Sequence, residues 1–173
     1  MNGSPRVLVA GIGNIFLSDD GFGVEVVRRL GEDRVPPWVR VADYGISGLH
    51  LAYELLHGYE KTILVDTVSQ GGEPGTLYLI EAESGTQTGR PTSTLDAHGM
   101  QPDAVLHLAR AMGADPGKVL LLGCEPARLD EGIGLTTAIA AAVPKAVELL
   151  TRLAREPTGV PLSTPVRTKG TPC

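Results

Sequence analysis

The stretch VLVAGIGNIFLSDDGFGVEVVRRL, Val7 to Leu30, constrains the fold more than any other part of the chain. A short apolar run, Val7 to Ala10, reads as a strand that meets a glycine turn at Gly11 and Gly13. Two adjacent carboxylates follow, Asp19 and Asp20, and then a helical stretch in which Gly23, Val26, Val27 and Leu30 share one face and Gly31 ends the run. In open α/β sheets ligands bind at the carboxyl edge of the strands. The use made of the two carboxylates therefore decides the function.

The pattern repeats downstream. After Pro36-Pro37, VRVADYG alternates as a second strand ending at Asp43. Ser47 is placed to cap a second helix whose face is expected to be Leu49, Ala52, Tyr53 and Leu56, closed by Gly58. TILVD, Thr62 to Asp66, is too short and too β-branched for a buried helix and reads as a third strand with Asp66 at its carboxyl edge. Such a βαβαβ order demands right-handed crossovers and parallel pairing. GGEPG is turn chemistry, and TLYLIEA alternates as an additional edge strand. A polar loop, Ser84 to Asp96, delivers His98 ahead of a helix with Val105, Leu108, Ala109 and Met112 on one face. KVLLLGCEP supplies the last core strand, and an Ala-rich helix runs from about Thr137 to Glu156, kinked or restarted at Pro144. The expected fold is a three-layer α/β sandwich: a mainly parallel twisted sheet of about five strands, one antiparallel edge strand, and helices on both faces. Residues 1–156 form one domain; 157–173, with Pro157, Pro161, Pro165 and Pro172, read as a disordered tail.

Totals narrow the function. A net charge of -5 without a Lys/Arg cluster, and 4% aromatic residues, argue against nucleic acid and anionic membranes as partners. Cys124 and Cys173 are no disulfide framework, and no long apolar run is present, so a cytoplasmic protein is expected; a monomer is the expected state. The opening loop is an imperfect dinucleotide fingerprint: Gly11 and Gly13 fit G-x-G-x-x-G, but Phe16 occupies the third position, although Asp43 could imitate the ribose-binding acid. Asp19 and Asp20 lie where a pyrophosphate would need unopposed N–H groups. One of the two could be a helix cap; capping one helix does not need both. The alternative is a cation. If the first and third strands are neighbours, Asp20 and Asp66 share one sheet edge and the loop with His98 reaches over them, a borderline set suited to zinc, nickel or iron. Against this, a single Asp at a strand end is commonly a turn or cap residue and a single loop His is commonly solvated.

The blocks GIGNIFLSDDGFG, D-x-G-x-x-G at Asp43 to Gly48, the strand ending in Asp66, P-G-T at Pro74 to Thr76, the isolated His98, G-x-x-P at Gly123 to Pro126 and G-L-T at Gly134 to Thr136 occur together in this order. Together they resemble the hydrogenase maturation endopeptidases over about Leu8 to Leu150. The resemblance implies an enzyme that trims the C-terminal extension of a nickel-iron hydrogenase large-subunit precursor after nickel insertion. It implies Asp20, Asp66 and His98 as metal ligands and catalytic groups, the metal being nickel carried by the substrate, or zinc or another divalent ion in the isolated protein. Asp43, Gly45 and Gly48 would line the cleft for the substrate C-terminus. The chain departs from the family pattern at Tyr44, where Gly is frequent, and carries Glu125 inside GCEP. Without a metal, the candidate nucleophiles would be Cys124 and Ser18. A nucleotide-binding module and a non-catalytic precursor-binding relative are the rival readings.

Overall fold

A computed structural model of the protein describes residues 6–82 and 101–156. Among these residues five strands form one sheet: β1 (Val7–Ile12), β2 (Val39–Gly45), β3 (Lys61–Thr67), β4 (Leu77–Ala82) and β5 (Lys118–Cys124), in the order β2-β1-β3-β5-β4. The pairs β1–β2, β1–β3 and β3–β5 are parallel, and β4 joins β5 antiparallel at the edge. Among the described residues four α-helices complete the layers: α1 (Phe22–Leu30), α2 (Gly48–Leu55), α3 (Pro102–Ala111) and α4 (Thr137–Arg155). The architecture is the α/β sandwich expected above, with the antiparallel strand where TLYLIEA was placed.

The central strand explains the two cores. All six residues of β1 are buried. Val7 and Val9 pack with α1 and α4, through Phe22, Val26, Leu30, Ile139 and Val143. Leu8, Ala10 and Ile12 pack with α2 and α3, through Leu51, Leu55, Val105 and Leu106. A strand covered on both faces is apolar throughout rather than alternating, and this is why Val7 to Ala10 carried no period.

Some helix faces differ from expectation. On α2 the buried residues are Gly48, Leu51, Ala52 and Leu55, while Leu49, Tyr53 and Leu56 are exposed. Both sets satisfy the same spacing one residue apart, so periodicity alone could not choose between them; packing on the sheet did. On α3, Leu106 is buried and Leu108 exposed beside Val105 and Ala109. Ser47 makes no side-chain cap bond to α2. α4 is assigned as one helix through Pro144, whose ring lies on the solvent side. No described helix is long and apolar enough to cross a membrane. The expected tail, 157–173, lies outside the described residues.

Candidate active site

Strand order puts the carboxyl ends of β1 and β3 side by side, with Gly11 opposite Val65. From β1 the chain goes out to β2, and from β2 it returns past β1 to β3, so these two strands flank a topological switch point, where an open sheet offers a crevice. The β1–α1 loop covers it. Gly13 has a φ of +136°, and a Cβ there would lie 1.9 Å from the Asp20 carbonyl oxygen, so only glycine permits the loop to fold over itself. The Asn14 side chain accepts a bond from the Phe16 N–H (2.9 Å), the turn-forming role its type favours. A 3-10 turn, Ser18–Gly21, then leads into α1.

Close packing of α1 on the sheet is supplied by Gly23: a Cβ on it would approach the carbonyl oxygens of Val65 and Ile12 to 2.1 and 2.4 Å. The glycine that Phe16 seemed to displace is therefore present, delayed by an inserted loop, and Phe16 itself is 62% exposed on that loop. The insertion places carboxylates where a dinucleotide fold has a phosphate-binding turn.

The two acids have different surroundings. Asp19 is fully buried. Its carboxylate accepts the backbone N–H groups of Ala127 (3.0 Å), Arg128 (2.9 Å) and Thr136 (2.7 Å) and the Thr136 hydroxyl (2.9 Å). It caps nothing on its own helix; it welds the β1–α1 loop to the β5–α4 loop. Backbone bonds from Ser18 N–H to the Gly132 carbonyl (2.8 Å) and from Gly132 N–H to the Phe16 carbonyl (2.9 Å) complete the seam. Asp20 is half-buried. One of its oxygens accepts the Asn14 N–H at 2.8 Å, and the other accepts the Thr67 hydroxyl at 3.3 Å. Thr67 also donates its backbone N–H to the Asp66 carboxylate at 2.7 Å. Asp20 and Asp66 are thus joined through one residue at the switch point.

His98 lies outside the described residues, and among those described no three His, Cys, Asp or Glu side chains gather as a metal site. His50 and His107 sit exposed on α2 and α3, and His57 is exposed just beyond α2. Asp43 and Gly45 line a cleft of about 150 Å³ with Gly13, Asn14, Ile15, Phe16, Val24, Arg28 and Ile46. Asp43 accepts the Gly45 N–H (2.8 Å) and pairs with Arg28 at 3.1 Å. Gly48 is not in that lining; it is the buried first residue of α2. Pairing shifts from Gly11 opposite Asp43 to Ile12 opposite Gly45, which makes Tyr44 the bulged residue. Its side chain packs with the α2–α3 core rather than the cleft, so the departure from the family pattern leaves the cleft lined by Gly45.

Among the described residues neither candidate nucleophile meets an activating base. Cys124 is fully buried, and burial, with the charges of Asp19 and Glu125, pushes its thiol up to about 12. Ser18 donates its hydroxyl to the Asp130 carbonyl at 2.9 Å. Glu125, which the sequence left without a role, is 6% exposed and accepts the N–H groups of Gln70 (2.8 Å) and Gly71 (3.2 Å) and the Tyr78 hydroxyl (2.9 Å). Burial alone would raise its pKa; these donors outweigh that and hold it below the ordinary value. Glu125 fixes the loop that follows Asp66 and Thr67. A carboxylate in the place of an apolar residue in GCEP was the signal for it.

Fold and site together define a small α/β protein that presents acids, instead of phosphate-binding amides, at its switch point. The sequence model of the hydrogenase maturation proteases (HycI) matches residues 24–153, and the chain belongs to that family. It is accordingly a peptidase. The hydrogenase expression/formation protein HupD of Rhizobium leguminosarum bv. viciae is 34% identical over 155 residues, 88% of this chain and 75% of that protein. The Hydrogenase 2 maturation protease of Escherichia coli K12 is 31% identical over 87% of this chain and 92% of its own length. The structure of the hydrogenase maturating endopeptidase HybD from E. coli superposes with a TM-score of 0.72 at 29% identity, covering 87% of this chain and 92% of that one.

Proposed function

We propose that this peptidase removes the C-terminal extension of a nickel-iron hydrogenase large-subunit precursor after nickel has been inserted, and that it recognises the nickel held by the precursor. The observation that carries this is the meeting of Asp20 and Asp66 through Thr67 at the switch point. Two carboxylates brought to one sheet edge and joined through the same residue are an oxygen donor set suited to a divalent ion.

His98 is the third ligand in this proposal. It stands three residues before Gln101, the N-cap of α3. α3 leads within a few residues to the start of β5, so its N-terminus lies at the end of the sheet where β1 and β3 finish. In the proposed mechanism the precursor's nickel docks on Asp20, Asp66 and His98 and supplies Lewis acidity toward the scissile carbonyl or the attacking water. The chain's own residues do the placing: Asn14 N–H and the Thr67 hydroxyl hold Asp20, and the cleft beside Asp43 and Gly45 receives the peptide.

The test is cleavage of a nickel-loaded precursor set against the same precursor without nickel. The loaded form is expected to shorten and the apo form to stay intact. Asp20→Asn, Asp66→Asn and His98→Ala are each expected to abolish cleavage while retaining the fold. Cutting that ignores nickel refutes the recognition mechanism and leaves peptidase activity in place; full activity in all three variants moves the site elsewhere.

A further inference from the structure

We infer that Thr67 is a positioning residue that holds Asp20 and Asp66 set for a divalent ion, an inference that rests on the function proposed above. Along β3, Ile63 and Val65 face the core under α1 and α4, and Leu64 faces the core under α2 and α3. Successive strand side chains alternate. By that parity Thr67 continues the α1 side, from which the β1–α1 loop brings Asp20, and Asp66 continues the opposite side. The two acids therefore approach the sheet edge from different layers, and one residue holds both. Its hydroxyl donates to Asp20, and its backbone N–H donates to Asp66.

The platform beneath Thr67 is fixed. Thr67 pairs with Cys124 in the β3–β5 register, and the next residue, Val68, donates its N–H to the Cys124 carbonyl at 2.9 Å. The Val68 side chain fills the space left by the absent Cβ of Gly123, 2.5 Å from where that atom would be. Beyond it, the Glu125 carboxylate pins the N–H groups of Gln70 and Gly71. The backbone of Thr67 is thus held on both sides, and its β-branched side chain, with few χ1 positions open to it, brings the hydroxyl to Asp20. The 3.3 Å contact to Asp20 is longer than a relaxed O–H···O bond. Such bonds commonly shorten once the site is engaged.

The roles of hydroxyl and amide separate by mutation. Thr67→Val keeps shape and backbone N–H and removes only the donor to Asp20; Thr67→Ser keeps the donor; Thr67→Ala removes it without added bulk. Zinc chloride titrated calorimetrically into the full chain measures the pair directly, and kcat and KM on nickel-loaded precursor measure it in use. Loss of a bond that orients a metal ligand costs roughly ten- to a hundredfold in metal affinity, so Thr67→Val and Thr67→Ala are expected to bind zinc that much more weakly, with Thr67→Ser recovering most of the loss. The precursor KM is expected to rise in the same order.

Wild-type zinc affinity in Thr67→Val, beside an impaired Asp20→Asn, overturns the inference and leaves the proposed function standing. So does undetectable zinc binding by the wild-type chain while nickel-dependent cleavage persists. A loss in Thr67→Val that Thr67→Ser does not recover assigns the effect to packing and also overturns it. If Asp20→Asn itself binds zinc and cuts like the wild type, Asp20 is not a ligand and the inference is overturned, while the nickel-dependence of cleavage still tests the proposed function on its own.

Discussion

Asp19 and Asp20 are neighbours of identical chemistry in different surroundings, and their burial separates them. Asp19 is 0% exposed and meets three backbone N–H groups and a hydroxyl; Asp20 is half-buried, with one donor on each oxygen. An unsatisfied buried donor costs about 1–3 kcal/mol. Asp19→Ala takes the acceptor from the N–H groups of Ala127, Arg128 and Thr136; Ala127 and Arg128 are exposed enough for water to replace part of it, so a loss of about 2–3 kcal/mol is expected in urea unfolding. Asp20→Ala is expected to stay within about 1 kcal/mol of the wild type, as befits a half-buried surface group. Equal losses for the two would contradict the division. The sequence makes the pair conspicuous and the family resemblance selects Asp20 as the ligand, but neither shows what Asp19 holds, because the partners of Asp19 stand 108 to 117 residues away. The positions of Asp20 and Asp66 at one sheet edge are legible for the opposite reason: Asp66 lies in β3 near its end and Asp20 lies in the connection from β1 to α1, and strand ends are visible in the pattern.

At the scale of elements, α1 matters most because the turn that carries Asp20 runs directly into it. Its apolar face, Gly23, Val26, Val27 and Leu30, is buried as its spacing indicates. The function of its first glycine was not visible, since the eight residues from Asn14 to Gly21 displace it from the place where a dinucleotide motif would have it. Gly23→Ala tests the seat. Alanine is the better helix former by about 1 kcal/mol. Against that, its Cβ would collide with two backbone carbonyls, which cannot move without parting α1 from β1 and β3. Overpacking of this kind costs about 1–3 kcal/mol, so net destabilisation is expected despite the helix gain. Because the displaced helix takes Asp20 with it, precursor cleavage is expected to fall further than the melting temperature alone explains. A Gly23→Ala variant that is more stable and fully active would show that the seat is loose. α2 teaches the complementary lesson: a helix apolar on two adjacent faces tells its length and not its orientation, and Leu49, Tyr53 and Leu56 were assigned to a core that Gly48, Leu51 and Leu55 occupy.

In the whole molecule, two buried carboxylates close the carboxyl end of the sheet. Asp19 ties the β1–α1 loop to the β5–α4 loop, and Glu125 ties the β3–β4 loop to the end of β5. At the other end the buried Lys61 ammonium donates to the Leu153 and Glu156 carbonyls and finishes α4. Global stability should therefore carry an acid-side dependence traceable to Glu125. Its folded pKa lies below the ordinary value of 4.5. A carboxyl depressed by folding contributes stability that is fully present above its unfolded pKa and is lost as pH falls through the folded value. Glu125→Gln cannot ionise and sets an amide N–H₂ against donors that require an acceptor, so it is expected to be less stable than the wild type at neutral pH. Below about 4.5 the unfolded wild-type chain takes up a proton that the folded carboxylate, with its lowered pKa, still refuses, so the wild type loses stability that Glu125→Gln never had and the gap between the two proteins is expected to narrow. Urea midpoints at about pH 7, 5 and 3.5 decide it, the first two giving a constant difference and the third a smaller one. A difference that does not change across the series would mean that the loop after Asp66 and Thr67 is held by packing and not by the charge on Glu125.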